Sequence, residues 1–330
     1  MTPAESPSMV LIAPTGGLGL PGPETLRGWA RRLRSELPEI EVVVAGDDDA
    51  ALAALRHATA AYGTLPTAWS APGLAWLQAP MAAPPVGYFT PELAAHPVVV
   101  TNMRGIYDDH IATHVMAYIL ALARGFPAHL AHQRDHSWRP EEVPTLHLPD
   151  ATVLLVGAGG VGRQVAAYLR PFGPRVVAVD ARPDRVDREN ITRAVGPDEL
   201  DGVLPLADVV VMTVPHTPDT EGMMDRARFQ RMKDTAVLVN IGRGRTVKLD
   251  DLTEALATGV IAGAGLDVFE HEPLPADHRL WDLPNVLITP HSAMAGPYLD
   301  DRRYELIAGN ARRYLAGEPL IHVVDKQQGF

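Results

Sequence analysis

The chain has 330 residues, is 46% apolar, carries a formal charge of −11 and contains no cysteine. The acidic balance, with no basic block, argues against nucleic acid as the main partner. The absence of thiols excludes disulfides, thiolate catalysis and cysteine metal sites. No run of 18 apolar residues occurs, and residues 1–8 lack the basic and apolar parts of a signal peptide. A cytoplasmic protein with no membrane partner is expected, long enough for two domains.

Residues 10–13 read as a first strand, 25–37 as a basic amphipathic helix after Pro23, and 40–45 as a second strand. Asp47, Asp48 and Asp49 stand where a helix over 50–57 begins, and acids at that end suit its unpaired amides and its dipole. Short strands follow at 60–63, 74–78 and 98–101, with a stiff loop, residues 79–85, before the last. Strand and helix alternate, so the first hundred residues read as a small α/β domain. Residues 105–124 form a long alanine-rich helix, apolar on more than one face, which places it in a core or at a subunit interface. His110 and His114 lie on it, and His129, His132 and His136 recur at helical spacing beyond it. No acid or cysteine shares their spacing, so they read as packed or solvated histidines and no metal is expected. Pro140, Pro144 and Pro149 mark a linker.

Residues 152–170, TVLLVGAGGVGRQVAAYLR, read as strand, glycine turn and helix. Gly157 permits the tight turn, Gly159 lets backbone come close to a pyrophosphate, and Gly162 lets helix and strand pack closely. The helix start, at Gly160 and Val161, offers N–H groups and a positive dipole end to phosphate. A second strand, 175–180, ends in Asp180, 18 residues after Gly162, where a carboxylate can accept from an adenosine ribose. The strand–helix rhythm continues. Strands are read at 207–214, 235–240, 261–268 and 286–289, and helices at 226–232, 249–257 and 298–314. Residues 103–292 thus hold about six strands in a doubly wound parallel sheet.

Ligands gather at the carboxyl ends of such strands. Arg243 follows the strand ending at Asn240, Glu272 the strand ending at Val268, and His291 the strand ending at Thr289. Their flanks, NIGRGR, GLDVFEHEPLP and NVLITPHSA, with the glycine turn and the segment VVVMTVPHTPDTEGMMDRARFQRMKDTAVLVNIGRG, strongly resemble the D-isomer-specific 2-hydroxyacid dehydrogenase family. The resemblance covers nearly the whole chain and is most specific over residues 152–293.

The resemblance implies two Rossmann-like domains. A dinucleotide domain, 103–292, would be inserted into a smaller flavodoxin-like substrate domain made of 1–102 and 293–330. It implies that Arg243 grips the carboxylate and carbonyl oxygen of a 2-oxo acid, which suits a planar, permanently charged guanidinium. His291 would be the general acid in reduction and the base in oxidation, with Glu272 hydrogen-bonded to its ring and favouring the charged form. Gly160 and Val161 would lie at the pyrophosphate and Asp180 at the ribose. Thr213, Val214 and Pro215 would border the dinucleotide. Ile241 and Gly242 would offer backbone near the nicotinamide, and Asp267 would meet the carboxamide. The cofactor implied is NAD, with NADP possible because Arg182 and Arg185 follow Asp180 closely.

Three departures stand out. The family's substrate loop usually ends in Gly-Val-Asp, whereas this one reads Met81-Ala82-Ala83-Pro84-Pro85; the amides of Ala82 and Ala83 can still bind a carboxylate, but Pro84 has none. Thr113 stands where the family usually has a glutamate. No regulatory domain is expected after residue 325. The expected protein is a homodimeric oxidoreductase acting on a small 2-oxo or 2-hydroxy acid. An NADPH-dependent glyoxylate or hydroxypyruvate reductase is the alternative of the same class, and an NAD-sensing corepressor the alternative of another.

Overall fold

The computed structural model describes residues 7–14, 19–66, 69–83, 87–139 and 143–326. Pro84, Pro85 and Pro140, assigned above to a loop and a linker, lie outside these. The chain forms two compact units, one of residues 1–106 and 296–330, the other of 107–295.

In the first unit the elements run β1 (Ser8–Leu11), α1 (Pro23–Glu36), β2 (Glu41–Val44), α2 (Asp48–Leu55), β3 (Ala60–Tyr62), β4 (Trp76–Gln78), α3 (Pro91–Ala95) and β5 (Val99–Thr101). Pro23 opens α1, where a missing N–H costs nothing. Asp47 caps α2 by accepting from Ala50 N at 2.8 Å, the role the acid triplet suggested. The five strands pair in parallel in the order β2-β1-β3-β4-β5. Val10, Leu55, Leu77 and Val100 lie in one apolar cluster of this unit. Helix α3 is absent from the sequence reading; its five residues are too few to show a period.

The second unit runs α4 (Asp108–Ala123), α5 (Phe126–Arg134), β6 (Thr152–Val156), α6 (Gly160–Leu169), β7 (Arg175–Val179), β8 (Arg193–Val195), α7 (Leu200–Val203), β9 (Val209–Met212), α8 (Arg226–Phe229), β10 (Val237–Asn240), α9 (Leu249–Ala257), β11 (Gly263–Leu266) and β12 (Val286–Ile288). Seven strands, all parallel, take the order β12-β11-β10-β9-β6-β7-β8. That is one more than expected. The addition, β8, is a three-residue edge strand, Arg-Ala-Val, too short and too mixed to read as a strand. The expected helix over 226–232 is helical only to Phe229. His136 stands outside α5, in the left-handed region at φ +52°, so the expected helical face of three histidines does not form.

Side chains alternate across this sheet with the strand period of two. Leu154, Val156, Val210, Met212 and Leu238 enter one core with α9. Val153, Leu155, Val209, Val211 and Val239 enter the other with α4 and α6. Each such side chain contributes about 1.5–3 kcal/mol when fully buried. Helix α4 buries Ala112, Val115, Met116, Tyr118, Ile119 and Ala123, in line with its apolar faces. Among the described residues no single helix is long and apolar enough to cross a membrane; only α4 with α5, bent by 69°, passes on length and composition.

The chain returns to the first unit in α10 (Leu299–Ala316), which lies against α1. Tyr304 donates to Glu36 at 2.8 Å, Arg312 reaches Glu36 at 2.6 Å, and the Arg32 guanidinium stacks 3.6 Å above the Tyr304 ring.

Candidate active site

The carboxyl ends of β10, β11 and β12 lie level. Asn240 pairs with Leu266, and Leu266 with Ile288. The segments that leave these strands therefore start side by side, and they carry Arg243, Glu272 and His291.

After β10 the chain turns at Ile241 and Gly242. Gly242 N donates to the Asn240 side chain at 3.1 Å. A Cβ at Gly242 would stand 2.6 Å from Val214 O, so only glycine lets this turn lie against the end of β9. Arg243 follows in extended conformation, its Nη1 donating to Gly242 O at 2.6 Å. Burial presses the guanidinium pKa down and the charge of Glu272 opposes that. A guanidinium stays charged under such pressure.

Beyond β11 the loop folds back so that Phe269 N donates to Glu272 Oε1 at 2.9 Å. The other carboxylate oxygen, Oε2, meets His291 Nδ1 at 2.7 Å. Burial alone would raise the Glu272 carboxyl. The hydrogen bonds from His291 and Phe269, with the charges of His291 and Arg243, outweigh it and hold the carboxyl below its usual range. His291 itself sits at φ +52°, where a non-glycine residue is strained. Its N–H donates to Asp267 O at 2.8 Å. The structure thus brings a cation, a carboxylate and an imidazole together, with the pair half-exposed at 36% and 41% of their side-chain surface. A fixed carboxylate on Nδ1 assigns that nitrogen as donor and leaves Nε2 to exchange a proton.

The glycine turn lies in the same sheet, at the end of β6. Gly157 takes φ +101° and donates to Val179 O at 2.8 Å. Thr213, just past β9, points its hydroxyl at Gly157 O, 2.8 Å away. A Cβ on Gly162 would overlap the Gly157 carbonyl, whereas a Cβ on Gly159 would meet nothing within 4 Å. Gly160 and Val161 open α6, and a Cβ on Gly160 would overlap the Asp108 carboxylate. Val214 and Pro215 continue from Thr213; Thr220 donates to Pro215 O at 2.7 Å and fixes that loop. Asp180 follows β7 directly, with both carboxylate oxygens engaged, by Ala158 N and Arg182 N, each at 2.9 Å.

Asp267 is 1% exposed. Its carboxylate accepts from Ser292 N at 2.8 Å, from Ala293 N at 3.0 Å and from the Thr289 hydroxyl. The sequence reading placed Asp267 near a ligand and passed over Thr289. The only signal for Thr289 was its position two residues before His291. Ala82 and Ala83 belong to the first unit, where Ala82 O accepts from Asn102 Nδ2 at 2.7 Å. Of the histidines weighed above as metal ligands, His110 pairs with its neighbour Asp109 at 3.0 Å and His114 reaches Thr289.

Residues 116–293 match the family model described as D-isomer specific 2-hydroxyacid dehydrogenase, NAD binding domain. The glyoxylate reductase of Korarchaeum cryptofilum is 34% identical over 236 residues, which span 70% of each chain. The human glyoxylate reductase/hydroxypyruvate reductase is 35% identical over 220 residues, 65% of this chain and 66% of that one. Among solved structures, the D-isomer specific 2-hydroxyacid dehydrogenase of Xanthobacter autotrophicus Py2, in complex with NADPH and MES, superposes with a TM-score of 0.80 at 28% identity, covering 98% of this chain and 100% of that chain. The chain belongs to the D-isomer specific 2-hydroxyacid dehydrogenase family. It is an NAD(P)-dependent oxidoreductase acting on CH–OH donors.

The two glycines separate packing from clearance. Gly162→Ala drives a methyl into a backbone carbonyl and should cost about 1–3 kcal/mol, the usual scale of overpacking. Gly159→Ala has room and should leave stability unchanged while weakening dinucleotide binding. Urea unfolding and NADH fluorescence titration of both variants check this. Equal stability loss in the two would contradict the division.

Proposed function

We propose that the chain reduces a small 2-oxo acid to the D-2-hydroxy acid, reversibly, with His291 as general acid, Glu272 as its partner and Arg243 as the substrate's anchor. The observation that carries the reading is the 2.7 Å contact of His291 Nδ1 with a carboxylate that Phe269 N also holds, beside the Arg243 guanidinium. Arg243 binds the substrate carboxylate and polarises the carbonyl. A reduced nicotinamide held by the second unit would supply the hydride for the carbonyl carbon. His291 delivers the proton from Nε2 to the carbonyl oxygen, and Glu272 offsets the charge of the imidazolium beforehand. In oxidation the same nitrogen takes the hydroxyl proton. The unit of residues 107–295 serves the dinucleotide, with Gly157, Gly159, Gly160, Val161 and Gly162 at the pyrophosphate. Thr213, Val214, Pro215, Ile241, Gly242 and Asp267 line its path. Two copies form the working molecule, a reading supported by the exposed apolar side chains Phe126, Leu130 and Trp138 on and beside α5.

His291→Ala should keep NADH binding and lower turnover by roughly 10² or more, the scale of a lost general acid. Glu272→Gln should move the alkaline fall-off of reduction to lower pH, because the imidazolium loses the carboxylate that favours it. The Glu272 carboxyl is lowered in the folded chain, so its contribution to stability is present above the ordinary carboxylate range. It is lost as pH falls through the lowered value, and wild type and Glu272→Gln should converge in stability at acid pH. Steady-state rates with glyoxylate, pyruvate and hydroxypyruvate across pH, with thermal unfolding at matched pH, check both. No turnover with any 2-oxo acid would favour the corepressor reading.

NAD is the preferred cofactor on this reading. Asp180 is held by two backbone amides at the end of β7, and a 2′-phosphate beside it meets a fixed negative charge. One observation favours NADPH. Arg182 is exposed, and no carboxylate among the described residues forms an ion pair with its guanidinium. The NADPH-dependent glyoxylate/hydroxypyruvate reductase of Sinorhizobium meliloti, in complex with NADP and sulfate, shares the fold at 28% identity. A modest NADH preference is expected, eroded by Asp180→Ala and sharpened by Arg182→Ala in kcat/KM. A strong NADPH preference that Arg182→Ala abolishes would assign the choice to the arginine.

A further inference from the structure

The helix α4 reaches the His291 loop from behind through two side chains one turn apart, His114 and Tyr118. Both point at Thr289. His114 Nε2 lies 3.0 Å from Thr289 Oγ1, and the Tyr118 hydroxyl lies 2.6 Å from the same atom. The third neighbour of Thr289 Oγ1 is Asp267 Oδ1.

The hydrogens can be counted. A threonine hydroxyl has one hydrogen and two lone pairs. The Asp267 carboxylate accepts two backbone amides and has no hydrogen to give, so the Thr289 hydrogen goes to it. The two lone pairs must then be served by donors. Tyr118 has one hydrogen for two acceptors, Thr289 Oγ1 at 2.6 Å and Leu266 O at 3.0 Å. Two oxygens 2.6 Å apart need a hydrogen between them, and that of Thr289 is spent on Asp267, so the phenol hydrogen goes to Thr289. Burial pushes the Tyr118 pKa well above the ordinary phenol value and keeps it a donor. The remaining lone pair faces His114, whose Nε2 must therefore carry hydrogen. The Thr289 hydroxyl is saturated, and its orientation is set from α4.

That orientation matters because of what hangs on Asp267. Its main-chain oxygen takes His291 N, and its carboxylate takes Ser292 N and Ala293 N. Three consecutive amides of the catalytic loop thus depend on one residue, and the loop holds His291 in the left-handed region at φ +52°. We infer that His114, with Tyr118, is a positioning residue for His291, acting through Thr289 and Asp267. His114 touches Asp267 more distantly, at 4.0 Å, and packs edge-on to the Tyr118 ring at 4.8 Å; among the described residues these are the titratable groups in contact with it. The role rests on the reading of His291 as general acid.

The substitutions separate donor from bulk. His114→Leu removes the Nε2 hydrogen, and His114→Gln offers an amide hydrogen at similar reach. Thr289→Val removes the relay and Thr289→Ser keeps it. For His114→Leu and Thr289→Val, kcat should fall about 10-fold or more, and the alkaline limb of kcat against pH should move to lower pH as the His291–Glu272 pair loosens. NADH affinity, measured by fluorescence titration, should stay within about twofold. His114→Gln and Thr289→Ser should recover most of kcat and the wild-type limb. The idea is overturned if His114→Leu keeps both kcat and the limb, or if His114→Gln behaves like His114→Leu. It is overturned too if NADH affinity falls in step with kcat, since that is a dinucleotide effect. His291→Ala is run alongside. If it turns over normally, the general-acid reading fails, and this role with it. If His291→Ala is slow and His114→Leu is not, only the positioning role fails.

Discussion

The site depends on one constraint, the level register of parallel strands β10, β11 and β12. Parallel neighbours need long crossovers, so Arg243, Glu272 and His291 are far apart in the chain, and only hydrogen-bonded pairing brings their segments together. A one-residue slip would turn every side chain of a strand to the other face. The apolar residues prevent it. Leu238 and Ala264 belong to one core and Val239 to the other, so a slipped strand would exchange side chains between two close-packed cores shaped for different ones. The candidate site is polar, but its geometry is fixed by buried valines and leucines.

On that platform the polar groups organise one another. Glu272 lies under the influence of two cationic partners, Arg243 and His291, while Phe269 N fixes one of its oxygens. Charges that are partly desolvated interact strongly, and a carboxylate with a fixed direction also fixes the imidazole that binds it. His291 is held in a conformation that costs an ordinary residue roughly 1–2 kcal/mol. Such strain persists only where the surroundings over-determine it, and here three amides on Asp267 do so.

How much of this could be read beforehand follows from the range of each interaction. The glycine turn was legible because its requirements are steric and local: φ +101° at Gly157, and no Cβ at Gly162. The three site residues were legible as candidates because each follows an apolar stretch read as a strand, β-branched in β10 and β12 and of small residues in β11. The edge strand β8 was not, since Arg193 and Ala194 carry no such signal and only pairing with β7 makes them extended. His136 was misread because helical spacing continues past the point where α5 stops. The surroundings of Asp267 were out of reach for a different reason. Thr289 meets His114 across 175 residues of chain, and a lone histidine on an apolar helix looks the same whether it packs or donates.

Asp180 shows how a local motif acquires a property that the motif does not state. A terminal acid on β7 suggests a ribose acceptor, and a flexible carboxylate would have to be ordered when the ribose arrives. Here Ala158 N and Arg182 N already hold one oxygen each. Each oxygen keeps a lone pair, so the group can still accept, and little side-chain entropy remains to be lost on binding. One of the two amides comes from the glycine turn itself. The acid is therefore built onto the glycine turn, which the proposed reading gives to the pyrophosphate, and the spacing of 18 residues between Gly162 and Asp180 lets β7 return the chain to that turn. The other amide belongs to Arg182, the residue whose side chain would answer a 2′-phosphate. On the proposed reading, both determinants of cofactor choice share one hydrogen bond, so a change at either moves the other. The choice between the two dinucleotides is then a property of the turn after β7 as a unit.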